Sequence, residues 1–385
     1  MDDRADDRAL IEEGVSRRCA DYPDDYWSEL DQKHEFPWAF YVDMAKDGWV
    51  GLSIPEEYGG GGRGITDCAV MMRAIAESGA AMNGCTPLHL TIFGLMPVVK
   101  FGSDELKAEF LPRAAAGDLH VAFGVTEPDA GTDTSQIRTR AERRGDGWVV
   151  NGQKIWTSKA MESEVVLLLA RTGAADKGRF DGLSLFLADL DPAYVTIRPI
   201  PKLGRNAVAS CETFYENLPV PGGRLVGEEG RGFEHLLHGL NAERILLASE
   251  AVGIGFAAVR RATRYAQERV VFGRPIGANQ ALSHPLASAF AQLTAAWELC
   301  LVAARRYDAG LPCGEQANMA KYLAAEAGFD AADRALQTFG GLGYAVECHI
   351  ERYWREARLL RLAPVSQEMT LNYLAQRTLG LPRGY

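Results

Sequence analysis

The sequence contains no cysteine pattern that would build a metal site or a disulfide framework. Its seven cysteines are scattered, and none pairs at the Cys-x-x-Cys spacing or at the spacing of zinc ligands. An odd number of cysteines in a chain of 385 residues also argues against a small disulfide-bonded secreted domain. The pattern therefore predicts no metal site and a reducing, cytoplasmic location.

The chain also lacks an excess of positive charge and a targeting segment. Its formal net charge is −10 at pH 7, which argues against nucleic-acid binding, because that affinity comes largely from cationic contacts to phosphate. The N-terminal segment MDDRADDRALIEEG is charged throughout, unlike a secretory signal. No run approaches the roughly 18 to 20 apolar residues of a membrane span, so we expect a soluble protein with no membrane segment.

Three stretches of different periodicity are present instead. Residues 1–119 carry apolar residues at helical spacing, whereas residues 120–226 carry short β-type runs separated by turn signals. Helical spacing returns at residue 227 and persists to residue 385. Helices, then strands, then helices predict an α+β fold of three domains, and not the strand–helix alternation of a Rossmann fold.

Two dipeptides indicate tight turns in the middle stretch. Asp146-Gly147 lies between alternating segments and predicts a hairpin. Asn151-Gly152 is of the same type and predicts a second turn.

Two segments of the middle stretch have an unusual polar character. Residues 123–133 (FGVTEPDAGTD) combine a turn at Pro128 and Gly131 with hydroxyl groups beside exposed amides, which can hold the edge of a ring and a phosphate. Residues 151–160 place Trp156 directly before two hydroxyl residues, which gives a flat apolar wall with a donor beside it. A polar surface turn and a core tryptophan are the alternative interpretations, and both stay open for each segment taken alone.

Together these segments resemble the acyl-CoA dehydrogenase family, and two further blocks extend the resemblance over nearly the whole chain. Residues 269–280 match the family's Arg-x-x-Phe-Gly…Gln block, and residues 337–344 match its Gln-x-x-Gly-Gly-x-Gly-[Tyr/Phe] block. The resemblance implies an N-terminal helical domain, a central β-barrel-like domain and a C-terminal four-helix bundle. It also implies an FAD cofactor and a homo-oligomer, either a tetramer or a dimer.

The resemblance assigns the FAD contacts residue by residue. Val125 and Thr126 would offer groups to the flavin ring, and Thr132 would bond the pyrophosphate. Trp156 would flank the isoalloxazine, while Ser158 would hydrogen-bond near N5. The remaining implied contacts are Phe123, Gly131, Ser366 and Glu368 and, for the adenine half held from a neighbouring subunit, Arg269, Phe272, Gln280, Gln337, Gly340 and Gly341.

The family's reaction removes an α-proton and passes a hydride from the β-carbon to flavin N5, which requires a carboxylate as base. In many members this Glu lies in a C-terminal Tyr-Glu-Gly-Thr motif, whose first two positions are Ala363 and Pro364 here. In the isovaleryl and long-chain branches the Glu comes from an earlier helix, just before an Arg. Glu243 falls on that position, so the resemblance implies Glu243 as the base and Arg244 as a pocket residue. A solvated helix face is the alternative interpretation of this Glu-Arg pair.

Pro364 affects the substrate carbonyl as well. In the family, the backbone N–H at this position helps to hold the thioester oxygen, and proline has no N–H. Our hypothesis is a local shift that uses the Val365 amide instead. The other implied substrate contacts are Asn241, His89, Phe93 and Ala363. His89 either meets a polar tail group or is a helix histidine satisfied within the protein.

The implied activity is FAD-dependent α,β-dehydrogenation of an acyl thioester in lipid metabolism. The substrate carrier is CoA or an acyl-carrier protein, and the implied electron acceptor is an electron-transfer flavoprotein. Two rival classes stay open. The first is a flavin oxidase or monooxygenase on the same scaffold, and the second is a non-catalytic flavoprotein subunit, suggested by the missing C-terminal Glu.

Overall fold

The computed structural model describes residues 5–174 and 178–383 of the chain. Along the chain, a set of β-strands follows one helical region and precedes another. The helices are α1 (Ala5–Cys19), α2 (Asp24–Lys33), α3 (Trp38–Lys46), α4 (Ile65–Ile75), α5 (Ala81–Phe101), α6 (Asp104–Ala116), α7 (Gly232–Glu268), α8 (Gln280–Asp308), α9 (Gly314–Phe339), α10 (Ile350–Leu359) and α11 (Gln367–Tyr373). The strands are β1 (Val121–Gly124), β2 (Arg140–Arg144), β3 (Gly147–Ser158), β4 (Val165–Arg171), β5 (Leu183–Asp189), β6 (Val195–Pro199), β7 (Ser210–Val220), β8 (Val270–Val271) and β9 (Arg274–Pro275).

The predicted α+β arrangement is confirmed. Seven strands form one sheet in the order β1-β4-β2-β3-β7-β6, with β5 paired to the outer side of β4. The β1–β4 pair is parallel, while β3–β7 and β4–β5 are antiparallel. Strand β4 is buried along nearly its whole length, as its unbroken apolar run VVLLLA requires.

The two turn predictions had different outcomes. The hairpin between β2 and β3 is confirmed, with Gly145 at a φ of 61° in its two-residue turn. The second turn, at Asn151-Gly152, is wrong, because both residues lie inside β3. Gly152 is needed there for another reason. Its φ is 151°, and a Cβ would approach the Thr139 Oγ1 to 2.5 Å, so a larger residue would push the strands apart at a bulge.

The N-terminal helices and the C-terminal bundle share one apolar core. It runs without a break from α1 through α4 and α5 into α7, α9 and α10. Two further apolar clusters cover the two faces of the sheet. Helix α7 is the central element, since it packs against α4, α5, α8 and α9.

The expectation that no segment could span a membrane needs correction. Two stretches, Ile65–Phe101 and Gln280–Asp308, are long and apolar enough to do so by length and composition. The most apolar window of the first is 78% buried within the protein. Core helices of soluble proteins meet the same criterion, because a helix that is apolar all round is also suited to a buried position.

A buried polar network joins the three regions. The side-chain amide of Asn83, at the start of α5, donates to Asp31 Oδ1 at 3.1 Å and to Glu356 Oε1 at 2.7 Å. Its oxygen accepts from the Ala207 N–H at 3.1 Å, in the loop that leads into β7. Arg355 of α10 donates to Asp31 at 2.9 Å. The network therefore fixes how the sheet is oriented against both helical regions.

Candidate active site

The first polar segment is held by a buried ion pair. Lys154 of β3 donates from Nζ to Glu127 Oε1 at 2.8 Å and to the Val125 carbonyl at 3.0 Å. Glu127 also accepts from the backbone N–H groups of Arg138 and Thr139 at 2.7 and 2.8 Å. Burial alone would raise the pKa of Glu127, but Lys154 and these donors lower it, so the carboxylate is ionised. The turn that follows Val125 is thereby fixed in shape.

The second segment is the end of strand β3. The Ile155 N–H donates to the Thr126 carbonyl at 2.9 Å, which joins the two polar segments directly. The pairing of β3 with β7 is then irregular between Lys154 and Thr157, and Trp156 has a φ of 62°. As a result the Trp156 side chain turns outward, and the residue is 53% exposed. The core interpretation of Trp156 is therefore wrong, and its ring is free to stack on a flat ligand.

Ser158 is oriented by a cation that the sequence did not suggest. Arg205 donates from Nη2 to Ser158 Oγ at 2.9 Å and to Ser210 Oγ at 2.6 Å. A guanidinium has donors only. Ser158 therefore accepts from Arg205, and its own proton remains free to be donated to a ring nitrogen beside Trp156.

The other implied contacts of this half lie on the same two segments or close to them. Phe123, Val125 and Thr126 are half-buried, whereas Gly131 and Thr132 are exposed at the turn. Asp133 in the same turn is paired with Arg179 at 2.7 Å. The segment thus offers exposed backbone groups and hydroxyls beside a turn that the Lys154–Glu127 ion pair holds in shape. A phosphate and a ring edge require such groups.

The six residues implied for the adenine half lie on other elements. They are all exposed and occur at the β8–β9 hairpin, at the start of α8 and at the end of α9: Arg269, Phe272, Gln280, Gln337, Gly340 and Gly341. Phe272 is 101% exposed at a φ of 52°. A fully exposed Phe at a hairpin tip favours burial against another chain, in line with the implied neighbouring subunit.

Glu243 lies on α7 and is 7% exposed. Burial raises its pKa to about 8, Arg244 and Lys321 act in the opposite direction, and Glu250 raises it further. No hydrogen bond to its carboxylate is formed by any of the residues that the structure describes. The solvated-face interpretation is therefore wrong, and Glu243 is a buried carboxylate with free lone pairs and a pKa near neutrality, which suits a general base.

Arg244 and Asn241 lie beside Glu243 on the same helix. Arg244 donates from Nη1 to Asn241 Oδ1 at 3.1 Å and to the Leu240 carbonyl at 3.2 Å. Its Nε is buried and has no partner among the described residues. The side chain is held along the preceding turn of α7, with donor capacity left for a ligand.

The C-terminal loop is anchored by Lys321 of α9. This side chain is 1% exposed and donates to the Val365 carbonyl at 2.6 Å. The Val365 N–H has no acceptor among the described residues. Ser366 begins α11 by accepting from the Met369 N–H. Ala363 is half-buried and carries no carboxylate. Glu368 is exposed, so its carboxylate does not lie inside this loop.

His89 and Phe93 lie one turn apart on α5 and are both buried. Their ring centroids are 5.4 Å apart, and Phe93 in turn meets Phe123 of β1 edge-on at 5.6 Å. His89 therefore connects to the first polar segment through two aromatic rings. It is also paired with Glu250, which the sequence did not suggest.

Four functional candidates were missed from the sequence. Glu127 and Lys154 lie inside the two segments singled out, and their opposite charges were an available signal. Arg205 and Lys321 had no such signal, because an isolated basic residue is usually a solvated one.

A central sheet between two helical regions, an exposed indole beside an oriented hydroxyl, and a buried carboxylate define a flavin-dependent oxidoreductase. The chain belongs to the acyl-CoA dehydrogenase family. Models of its N-terminal, middle and C-terminal domains match residues 5–118, 122–218 and 230–379. The protein is thus an FAD-binding oxidoreductase that acts on the CH–CH group of acyl-CoA.

Individual relatives agree with this assignment over their full length. The chain is 38% identical over 383 residues to the acyl-CoA dehydrogenase fadE12 of Mycobacterium bovis, covering 99% of this chain and 98% of the relative. It superposes on a chain from the structure of the electron transferring flavoprotein of Acidaminococcus fermentans with a TM-score of 0.93 and 30% identity, covering 98% and 100%. The FAD complex of PigA gives a TM-score of 0.93 at 25% identity, covering 98% of each chain.

Proposed function

We propose that this protein removes the α-proton and a β-hydride from an acyl thioester, with Glu243 as the base. The observation that carries the proposal is the buried Glu243 carboxylate, which accepts no hydrogen bond from the described residues and has a pKa of about 8. The C-terminal loop offers no buried carboxylate in its place. The protein would then belong to the branch that supplies its base from the earlier helix.

Each residue at the site has a separate role in the proposed reaction. Glu243 takes the α-proton from the substrate, and its raised pKa matches the task at neutral pH. FAD, when bound, supplies the acceptor for the hydride that leaves the β-carbon. Trp156 would stack on the ring system, and Ser158, held by Arg205, would donate to a ring nitrogen. The burial of Glu243 strengthens the electrostatic contacts made by its carboxylate.

The carbonyl oxygen needs a donor because negative charge develops on it as the α-proton leaves. Pro364 has no N–H to offer. The Val365 N–H is available, and the Lys321 bond to the Val365 carbonyl holds that peptide in place. We assign the carbonyl contact to the Val365 amide, together with substrate contacts for Arg244, Asn241 and Ala363.

The remaining partners follow from the same proposal. We infer an electron-transfer flavoprotein as electron acceptor, and the match to a chain in the Acidaminococcus fermentans structure supports this choice. The exposed Phe272 and its neighbours support a homo-oligomer whose second chain completes the adenine site. CoA is the carrier we favour over an acyl-carrier protein, because the curated relative is an acyl-CoA dehydrogenase. We infer a cytoplasmic location.

An anaerobic titration of the FAD-loaded enzyme with a panel of acyl-CoAs tests the proposal. We expect bleaching of the flavin absorbance by at least one acyl-CoA, and slow reoxidation in air. Glu243→Gln should keep FAD and bind the same acyl-CoA, but reduce the flavin roughly a hundred- to ten-thousandfold more slowly. Unchanged reduction in Glu243→Gln would refute the base assignment. Fast reoxidation by air would favour the oxidase alternative.

A further inference from the structure

A fork of hydrogen bonds lies at the end of strand β3, two residues beyond the exposed Trp156. Ser158 of β3 and Ser210 of β7 stand opposite each other in the strand pairing. The Arg205 guanidinium donates from Nη2 to both hydroxyl oxygens, at 2.9 Å to Ser158 and at 2.6 Å to Ser210. One cation therefore bridges the two strands beside the surface where the ring of the flavin is proposed to bind.

The charge of Arg205 is not cancelled at contact distance. Its guanidinium forms no ion pair with any carboxylate of residues 5–174 and 178–383, and its buried Nε has no partner among them. Burial lowers the pKa of Arg205 to about 10, while the more distant Glu356 and Glu250 act in the opposite direction. Arg205 is therefore a cation at neutral pH whose side-chain partners are neutral hydroxyls. Its field extends over several ångströms, because burial limits screening by water.

The backbone of Arg205 is held in place by contacts with its surroundings. Its φ is 57°, in a region that residues with a Cβ seldom occupy. The Arg205 carbonyl accepts from Lys202 Nζ, and the next N–H, that of Asn206, donates to Asp31 of α2 at 2.8 Å. Unfavourable conformations of this kind persist where the surrounding structure determines them, and they are concentrated at functional sites. The guanidinium is thus fixed beside Ser158 by the protein itself.

A cation at this position affects how readily a bound flavin is reduced. A hydride carries two electrons, so its arrival adds one negative charge to the ring that accepts it. Ser158 accepts from Arg205, and its own proton is the one proposed to reach a ring nitrogen. Two successive hydrogen bonds of about 2.9 Å place the cation within about 6 Å of that nitrogen. A positive charge at this distance stabilises the added negative charge and strengthens the hydrogen bond that Ser158 donates.

We propose that Arg205 is a positioning residue whose charge, acting through Ser158, raises the reduction potential of the bound flavin. The inference rests on the proposed contact between Ser158 and the ring. The alternative is a purely structural link between β3 and β7. Such a link would change the affinity for oxidised and reduced FAD alike and would leave the potential unchanged, because only a difference between the two affinities shifts the equilibrium.

The test is the midpoint potential of the FAD-loaded enzyme, measured without substrate by anaerobic equilibration with a reference dye. Arg205→Gln carries an amide donor in place of the guanidinium and removes the charge. We expect its equilibrium to favour oxidised flavin by about tenfold to a hundredfold over wild type, a fall of about 30 to 60 mV for a two-electron couple. Arg205→Lys retains the charge, so its equilibrium should stay within about threefold of wild type.

Two controls separate the charge from the packing. Ser210→Ala removes the other arm of the fork, while Arg205 keeps its charge and its bond to Ser158, so the potential should not change. Arg198→Gln removes an exposed cation from strand β6, which pairs with β7. It should also leave the potential unchanged, because water and salt screen an exposed charge. If Arg205→Gln does not retain FAD, Ser158→Ala provides the second comparison, and its potential should fall in the same direction.

The outcomes separate this proposal from the structural link and from the dehydrogenation. An unchanged potential in Arg205→Gln, or an equally large fall in Ser210→Ala, would overturn the role of the charge. If Ser158→Ala leaves both the flavin absorbance spectrum and the potential unchanged, the contact with the ring is wrong and the proposal fails with it. These measurements use no acyl-CoA, so a failure of Glu243 as the base would appear only in the substrate titration.

Discussion

At the scale of single residues, the chemistry of the site depends on Glu243, which is buried and accepts no hydrogen bond from the described residues. Its neighbours Arg244 and Lys321 are cations that lower its pKa, yet burial outweighs them and the pKa rises to about 8. Burial also lowers the pKa of Lys321 to about 8. Both groups therefore titrate in the range where the enzyme is expected to work, which follows from removing charged groups from water.

The first prediction concerns pH. Glu243 must be ionised to accept a proton, so we expect the single-turnover rate of flavin reduction to rise with pH and to reach its midpoint near 8. Arg244→Met removes a cation that lowers the pKa of Glu243, so the midpoint should move to higher pH. The measurement is anaerobic stopped-flow over a pH series at saturating substrate. A midpoint below pH 6, or a midpoint that stays the same in Arg244→Met, would show that another group limits the rate.

At the scale of elements, helix α7 contacts α4 and α9 at glycines, where a Cβ would meet the backbone of the neighbouring helix. A Cβ on Gly328 of α9 would come within 2.4 Å of the Ala251 carbonyl oxygen in α7. A Cβ on Gly253 of α7 would come within 2.5 Å of the Arg73 carbonyl oxygen in α4. These approaches place α7 so that Glu243 and Glu250 face the interior, and they could not be derived from helical periodicity, which fixes a face but not a distance.

The second prediction tests this close packing. Gly328→Val should lower the free energy of unfolding by about 3 kcal/mol or prevent folding, because the helix backbones cannot separate without opening the shared core. Gly94→Ala in α5 is the control, since a Cβ there would meet nothing within 4 Å. It should be neutral or stabilising by up to about 1 kcal/mol. Denaturant unfolding of the FAD-loaded variants measures both, and equal effects would contradict the close-approach argument.

At the scale of the whole molecule, three regions of the sequence depend on one buried side chain. Asn83 contacts Asp31 and Glu356 through its amide nitrogen and the Ala207 N–H through its oxygen. Burial raises the pKa of Glu356 to about 7. The sheet, which carries Trp156 and Ser158, is thus held against helices that carry Glu243, so the network sets the geometry between the cofactor half and the base.

The third prediction concerns this network. Asn83→Ala leaves Glu356 Oε1 and the Ala207 N–H without the Asn83 side chain, although Glu356 Oε2 keeps the backbone N–H groups of residues 82 and 83. The free energy of unfolding should therefore fall by about 2–5 kcal/mol. Asn318→Ala is the control, because that buried amide donates to Gly314 of its own helix at 2.7 Å and should cost only about 1 kcal/mol. Thermal unfolding gives the stability, and hydrogen exchange at 206–210 reports whether the loop loosens. Equal losses in both variants would argue against a joining role.

The sequence by itself determined the α+β order of elements, the hairpin between β2 and β3 and the two polar segments, because periodicity and turn chemistry are local properties. The family resemblance added Glu243, FAD and the blocks at 269–280 and 337–344. The opposite charges of Glu127 and Lys154 were a signal in the sequence, but their bond joins residues far apart in the chain and no local pattern predicts it. The Arg205 bond to Ser158 had no signal at all.

Only the tertiary structure decided which side chains are buried and which of them have hydrogen-bond partners. Trp156 is exposed because a bulge turns it outward, and Glu243 is buried because α7 is enclosed by its neighbours. Asn151-Gly152 continues β3 because the strand pairs with β2 and β7 there, and Gly152 is glycine because Thr139 leaves no room for a Cβ. The pairing of His89 with Glu250 depends on α5 and α7 meeting side by side. Burial and the distance between elements arise from packing of the whole chain, and packing is what a local sequence pattern does not contain.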